Sequence, residues 1–409
     1  MNLPLAHDRR LVGWLSLAQL ISWGSVFYLF ALIMVPVEHE LGLSRAESSL
    51  AFSLALLVEG LLAYPVGRWI DRGHERLTMT VGSVLLAVCL ILQSFVTNKA
   101  GFYAAWVGLG AGMAATLYTP VFAVVTRRFP HDFRRAIITM TFLGGLASTV
   151  FIPLIAALMA GLGWRASLWC LAALHLGVCA PLHFYWLKDA PHPPPHAGPL
   201  APQPAIALSA HLRSAPFLLL AVFVVLLMTV TAALPSHMVT LLRERGLDEA
   251  WAIAIPASIG LLQVLGRLLL FFFEHRFDLH LANRLVPCLL PLGLLALLAS
   301  TAFGVGDVAL ALLFLFVLLW GMGNGMLTIV KGTAMADYVS RTHVASLNGA
   351  LGLPLALARA AAPIGLGLLW SPQAGYTYGL WVLLGLSVTG IVALALAQRH
   401  ALVAQAATP

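Results

Sequence analysis

Of the 409 residues, 60% are hydrophobic and only 10% are charged, and the mean hydropathy is +0.92. A soluble domain is about one-quarter charged, and no soluble fold hides this much apolar surface, so the chain is read as a membrane protein. The net charge of +7 is explained below by membrane topology, which leaves no case for a nucleic-acid surface.

Crossing a hydrocarbon core of about 30 Å takes roughly 20 apolar residues per helix. Twelve such runs are predicted: 11–37, 48–67, 78–96, 102–125, 137–160, 166–187, 215–241, 250–273, 285–304, 307–331, 345–369 and 376–398. The short alternating strands of a β-barrel are missing. The first run follows Arg9 and Arg10 like a signal peptide, but it is too long for one and has no small-residue cleavage site. It is expected to stay as the first helix.

The second and third runs are joined by GRWIDRGHERL (residues 67–77). Run 4 carries GLGAGMAATLYTPVFAVVTRR from Gly108, and run 10 carries GMGNGMLTIVKGTAMADYVSR from Gly321. The glycines, the Met and a terminal Arg recur in register, which indicates a parallel duplication. In this alignment Tyr118 falls opposite Lys331. Matching Pro153 to Pro363 sets Thr149 opposite Arg359. Between the halves lies KDAPHPPPHAGPLAPQP, whose prolines forbid helix. The expected organisation is a six-helix bundle over 1–187, a cytoplasmic linker over 188–213 and a second bundle over 214–409. His192, His196 and His211 lack metal co-ligands at fixed spacing and are read as solvated linker residues. Cys89, Cys170, Cys179 and Cys288 lie inside hydrophobic runs, form no CxxC pair and are expected to be buried free thiols.

With both termini inside, fifteen of the 23 Lys and Arg residues fall on the cytoplasmic side and five outside. This asymmetry satisfies the positive-inside rule. The other three, Arg267, Lys331 and Arg359, are buried in helices, joined by one acid, Glu59. From helix rise, Lys331 lies roughly 15 Å, and Arg267 and Glu59 roughly 13 Å, from the cytoplasmic ends of their helices. Arg359 lies roughly 21 Å from the start of its own. Charges at mid-bilayer cost about 2.5–3.5 kcal/mol each on insertion scales and persist where they meet a partner, a watery cavity or a substrate. An excess of buried positive charge points to an anionic passenger.

Arg267 offers a planar fork suited to a carboxylate or oxyanion. Its structural alternative is an arginine bonded to backbone carbonyls. Lys331 has the alternatives of snorkelling or pairing with Asp337, and Arg359 that of packing beside Pro363. Glu59 can change charge by taking a proton, so it is the proton-coupling candidate, with a fixed counter-ion as its alternative. Gln263, Asn324, Tyr118, Gln19, Trp23 and Tyr28 are candidate cavity-lining residues, although such residues also pack ordinary helix interfaces.

The loop at Gly67, Asp71, Arg72, Gly73 and Arg76 resembles the signature loop between helices 2 and 3 of the major facilitator superfamily. The resemblance implies twelve helices in two pseudo-symmetric six-helix bundles, an all-α membrane fold. It also implies a gating latch formed by Gly67, Asp71, Arg72 and Arg76. Within the superfamily, Gln263-Val264-Leu265-Gly266-Arg267 is similar to the pattern of the monocarboxylate porters and oxalate–formate exchangers. In that group a polar residue precedes, by four, an arginine that holds the substrate carboxylate. Arg359 stands where the oxalate exchangers carry a second cation. The stretch FLGGLASTVFIPL also resembles bacterial members near arsenical exporters, and it lacks the GPxxGG pattern of drug:proton antiporters. Two features depart from the mammalian porters: the first helix is uncharged, and Gln263 occupies the position of their aspartate. Proton symport and anion exchange therefore both stay open.

There is no HExxH, GxSxG or GxxxxGK[ST] sequence, so hydrolysis and ATP-driven transport are unsupported and no cofactor or metal is implied. The sequence reading is a monomeric secondary transporter of the plasma membrane, not an enzyme. It moves a small organic anion, a mono- or dicarboxylate, with protons as a possible second partner and lipid as its surroundings. Two alternatives remain, an exporter of an oxyanion or drug-like molecule and a non-transporting solute sensor or scaffold.

Overall fold

The computed structural model describes residues 3–129, 133–188, 210–273, 279–303, 306–340, 347–348 and 350–406. The linker expected over 188–213 lies mostly outside them. The chain divides into two compact units: Met1–Pro195 with Ser236–Thr240, and His196–Pro235 with Leu241–Pro409.

In unit 1, α1 runs from Leu3–Ser22 through a π-turn, Trp23–Phe27, into Leu29–Leu41. Gly42, at φ 61°, ends it in a left-handed turn that glycine adopts without strain. Ser44 then caps α2 (Arg45–Trp69) in a reciprocal capping box with Glu47. The turn Ile70–His74 bends at Gly73, φ 88°, and leads into α3 (Glu75–Ser94). Asn98 caps α4, which consists of Lys99–Thr116 and Tyr118–Arg128. Helix α5 comprises Phe133–Gly145 and the first part of Ala147–Leu174. That segment is interrupted at Gly163 (φ 78°, ψ 162°). Its remainder, a π-turn His175–Cys179 and Ala180–Trp186 make α6.

In the rest of the chain, Ser214 caps α7 (Ala215–Glu244) and Asp248 caps α8 (Glu249–Phe273). Helix α9 comprises Leu279–Leu285 and Leu289–Ser300. It is followed by α10 (Asp307–Tyr338), α11 (Gly352–Leu368) and α12 (Thr377–Ala406). Among the described residues, ten helical segments are long and apolar enough to cross a membrane. One of them, Thr139–Trp186, contains the Gly163 interruption and therefore makes two crossings, and the shorter apolar Gly352–Leu368 completes twelve. This is the expected all-α fold.

Run 4 differs from expectation, because α4 is broken at Leu117 (ψ −163°). Pro120 has no N–H with which to bond the Thr116 carbonyl. The Gln19 amide of α1 donates to that carbonyl instead, at 2.5 Å. Such side-chain repair is what permits a broken helix inside a membrane.

Glycine lets paired helices pack backbone against backbone. A Cβ on Gly110 of α4 would lie 2.3 Å from the Ala55 carbonyl oxygen of α2, and one on Gly325 of α10 would lie 2.2 Å from that of Gln263 on α8. Close packing by small residues takes the place of the hydrophobic drive that lipid cannot supply.

Polar clasps tie the helix ends. In unit 1, Trp164 Nε1 donates to Glu40 at 3.2 Å, while Arg165 bonds Glu40 and the carbonyls of Ser94 and Val96. In unit 2, Trp370 Nε1 donates to Glu244 at 3.0 Å, and Arg245 bonds the Leu297 carbonyl and Ser300. Burial pulls the Arg245 guanidinium down to about 10, so it stays charged at neutral pH. At the opposite helix ends, Glu75 of α3 pairs with Arg128 of α4 at 2.5 Å, and Arg128 also bonds the Lys188 carbonyl. In unit 2, Tyr338 OH meets His280, Asn283 and Gln398, each at 3.1 Å, and Arg284 Nε donates to Gln398 at 3.0 Å.

All four cysteines are free, but only Cys89 and Cys179 are buried. Cys170 and Cys288 are half-exposed, because a hydrophobic run contains lipid-facing positions as well as packed ones.

Candidate functional site

Helices α8, α10 and α11 of unit 2 carry the three intramembrane cations. On α8, Gln263 and Arg267 are one turn apart, and their separation from α10 is set by glycine. Gln263 lies against Gly325, and a Cβ on Gly266 would lie 2.6 Å from the Met322 carbonyl oxygen. Arg267 is thereby brought close enough for its Nε to donate to the Gly325 carbonyl at 3.3 Å. The carbonyl contact named as its structural alternative is thus present. A guanidinium has five N–H donors, and this bond orients the side chain through one of them.

Lys331 lies further along α10, with Nζ 3.6 Å from Met228 Sδ of α7. Arg359 lies on α11. Both side chains are half-buried, as are Gln263 and Asn324. For Asp337, the other partner considered for Lys331, Oδ2 is buried with no hydrogen-bond partner.

In unit 1, Glu59 of α2 is 9% exposed and sits one turn beyond Ala55, the residue packed on Gly110. Arg267 sits one turn beyond Gln263, the residue packed on Gly325. By packing, Gly110 thus matches Gly325, whereas the sequence alignment pairs Gly325 with Gly112. In this packing register Lys331 corresponds to Thr116 rather than Tyr118. Each is reached from the first helix of its bundle, Thr116 by Gln19 and Lys331 by Met228. Tyr118 lies at the break in α4, with its ring 4.9 Å from Trp23 and stacked at 5.1 Å on Phe122. Trp23 belongs to the π-turn of α1 and also packs on Phe27 at 5.1 Å. Tyr28 caps that turn and meets Phe27 edge-on at 5.4 Å.

At the predicted latch, Gly67 lies on α2 with open space at its Cβ position, and Arg72 is exposed. The Asp71 side chain lies outside the described parts. Arg76 is half-buried, its guanidinium 3.8 Å from the centroid of the Phe184 ring of α6. The ion pair found at this end is Glu75–Arg128, which sequence reading missed.

Twelve membrane-crossing helices in two units, with half-buried cations on three of them, define a multi-pass membrane protein. The family model described as "Major Facilitator Superfamily" matches residues 15–280, and the chain belongs to that family. It is 28% identical to monocarboxylate transporter 13 of Bos taurus over 321 residues, covering 76% of this chain and 69% of that protein. It is 25% identical to the uncharacterized MFS-type transporter YcxA of Bacillus subtilis (strain 168) over 166 residues, 40% of each chain. Among solved structures, the nucleoside transporter NupG superposes with a TM-score of 0.73 at 18% identity, covering 95% of this chain and 99% of that one. The xylose transporter XylE from E. coli gives 0.69 at 13% identity, covering 94% and 98%. These two likenesses show the fold. The chain is therefore a multi-pass membrane transporter, and its family is not an enzyme class.

Proposed function

We propose that this protein moves a small organic anion, a mono- or dicarboxylate, across the plasma membrane by alternating access, as a monomer with both termini cytoplasmic. One observation carries the reading: three cations, Arg267, Lys331 and Arg359, lie half-buried in apolar helices of unit 2. Charge at membrane depth is costly, and a bound anion offsets it. Arg267 supplies a fork for the carboxylate, with Gln263 and Asn324 on the same two packed helices as further polar contacts. Similarity to monocarboxylate transporter 13 supports the substrate class.

Energy comes from proton symport or anion exchange, with Glu59 as the acid able to load a proton and Tyr118 at the broken helix as a lining residue. Gly67, Asp71, Arg72 and Arg76 act on gating. The test is flux in proteoliposomes of purified protein loaded with unlabelled lactate, pyruvate, oxalate or formate and offered the labelled anion. Saturable counterflow of one of these anions is expected. Absence of counterflow for all of them would contradict the reading.

A further inference from the structure

Helix α4 loses its regular backbone at one residue. Leu117 is extended, at φ −77° and ψ −163°. The ladder holds on either side of it: Leu117 N–H bonds the Met113 carbonyl at 3.0 Å, and Val121 N–H bonds the Leu117 carbonyl at 3.4 Å. The cause is local. Pro120 offers no N–H to the Thr116 carbonyl, and in a regular helix its ring would clash with that carbonyl.

The bundle itself does not require this break. In the packing register that matches Gly110 to Gly325, Met335 of α10 takes the place of Pro120, and α10 runs as one helix from Asp307 to Tyr338. Unit 2 thus builds the same glycine-packed helix pair without an interruption. The proline of unit 1 is a feature that its own repeat does without.

Helix α1 grips the break on both sides. Gln19 Nε2 donates to the Thr116 carbonyl at 2.5 Å, and one turn along α1 the Trp23 ring lies 4.9 Å from the ring of Tyr118. In a regular helix, residues two apart stand about 200° apart around the axis, so Thr116 and Tyr118 would face nearly opposite ways. The extended Leu117 is what brings both to α1. Helix α5 fixes the far end of the tyrosine, whose hydroxyl fills the space over Gly144, where a Cβ would lie 2.1 Å from it. Phe122 stacks on the ring at 5.1 Å. Gln19 is fully buried. A carbonyl only accepts, so the amide must turn Nε2 toward Thr116, and Oε1 is left buried with no partner among the described residues. A leucine would pack there without that unmet oxygen, so the amide serves the Thr116 carbonyl rather than the packing.

We propose that Gln19 is a positioning residue for Tyr118. By serving the carbonyl that Pro120 leaves without a donor, it holds α4 broken at Leu117 and sets the tyrosine between α1 and α5, where it tunes the affinity for the transported anion. The last step rests on the transport reading, in which Tyr118 is a lining residue. The placement of the ring does not.

Two measurements test these halves separately. The first follows Tyr118 without transport, by fluorine NMR of the full chain in nanodiscs with fluorotryptophan in place of tryptophan. The Trp23 signal, assigned by its loss in Trp23→Phe, is expected to shift in Tyr118→Ala, where the neighbouring ring is gone, and in the same direction in Gln19→Leu and Pro120→Ala. A Trp23 signal indifferent to Tyr118→Ala, or one that stays at the wild-type position in Gln19→Leu and Pro120→Ala, would overturn the proposal. The second is counterflow of labelled lactate in proteoliposomes at matched protein density. The half-saturating lactate concentration is expected to rise roughly tenfold in Gln19→Leu and in Tyr118→Ala, with the maximal rate within about twofold of wild type. Because Gln19 acts through Tyr118, the Gln19→Leu, Tyr118→Ala double variant should match Tyr118→Ala alone. Pro120→Ala separates positioning from support, since it supplies the missing N–H. The Gln19→Leu, Pro120→Ala double variant should regain the melting temperature lost in Gln19→Leu yet keep the weakened affinity, because the healed helix turns Tyr118 away from α1. Recovery of both would mean that Gln19 only supports the helix and would overturn the proposal, as would additive effects of Gln19→Leu and Tyr118→Ala. If Gln19→Leu fails to fold, Gly144→Ala displaces the tyrosine hydroxyl without touching the break and is expected to raise the half-saturating concentration in the same way. Wild-type affinity in that variant counts against the proposal. Lack of lactate counterflow in wild type counts against the transport reading alone, and the fluorine signal then decides the placement.

Discussion

Arg267 combines two demands on one side chain, anchorage to a neighbouring helix and recognition of an anion. The Nε bond to Gly325 fixes the guanidinium plane, which a lysine ammonium cannot reproduce. Arg267→Lys is therefore expected to reduce transport by about tenfold or more, the loss of one good charge-assisted hydrogen bond, with normal membrane insertion. Initial-rate flux at matched protein density in the membrane checks this, and wild-type rates would argue for a purely structural arginine. Glu59→Gln is expected to remove accumulation driven by a pH gradient while sparing exchange of substrate for substrate, because exchange moves no net proton. Paired pH-jump and counterflow assays in the same vesicles separate the two. The candidate cations were legible as single residues because a charge in an apolar run is rare. The hydrogen bond between Ser25 and His175 was not, because the two are 150 residues apart and only folding shows that they meet.

At the scale of helices, glycine and clasp residues set the spacing on which the site depends. Gly325→Ala would push a methyl group into the Gln263 backbone, which cannot swing aside as a side chain can. Overpacking of this kind typically costs about 1–3 kcal/mol, so a lower melting temperature in detergent is expected, together with impaired transport as Arg267 moves. Glu75→Gln would leave the buried Arg128 charge without its ion-pair acid, a loss of about 3–5 kcal/mol. The double variant Glu75→Gln, Arg128→Met should recover most of it, as a thermal-shift series will show. Helix existence was readable from hydrophobic length and the turn at Gly73 from its motif. The break at Leu117 was also available, since Pro120 deprives the Thr116 carbonyl of its donor, but hydropathy averages over it. The outer clasps had a signal too. Glu40-x-Gly42-Leu43-Ser44 recurs as Glu244-x-Gly246-Leu247-Asp248, a repeat in which each glutamate accepts from a tryptophan.

For the whole molecule, the duplication has diverged in charge more than in shape. Both bundles keep a glycine-packed helix pair, an outer Trp–Glu clasp and an inner clasp. The second carries the three intramembrane cations, and the first carries the intramembrane acid and an aromatic wall. The alignment of runs 4 and 10 correctly pointed to the repeat but was two residues away from the packing register. Glycines recur at every second position there, and only contact with α2 or α8 tells them apart. On this account the positive charge of one bundle exists to hold an anion. The most direct measurement is counterflow of labelled carboxylate in proteoliposomes containing wild type or the Arg267→Ala, Arg359→Ala double variant, with equal reconstitution confirmed. The account predicts saturable counterflow in wild type and near-background flux in the double variant. Full transport by a well-folded double variant would contradict it.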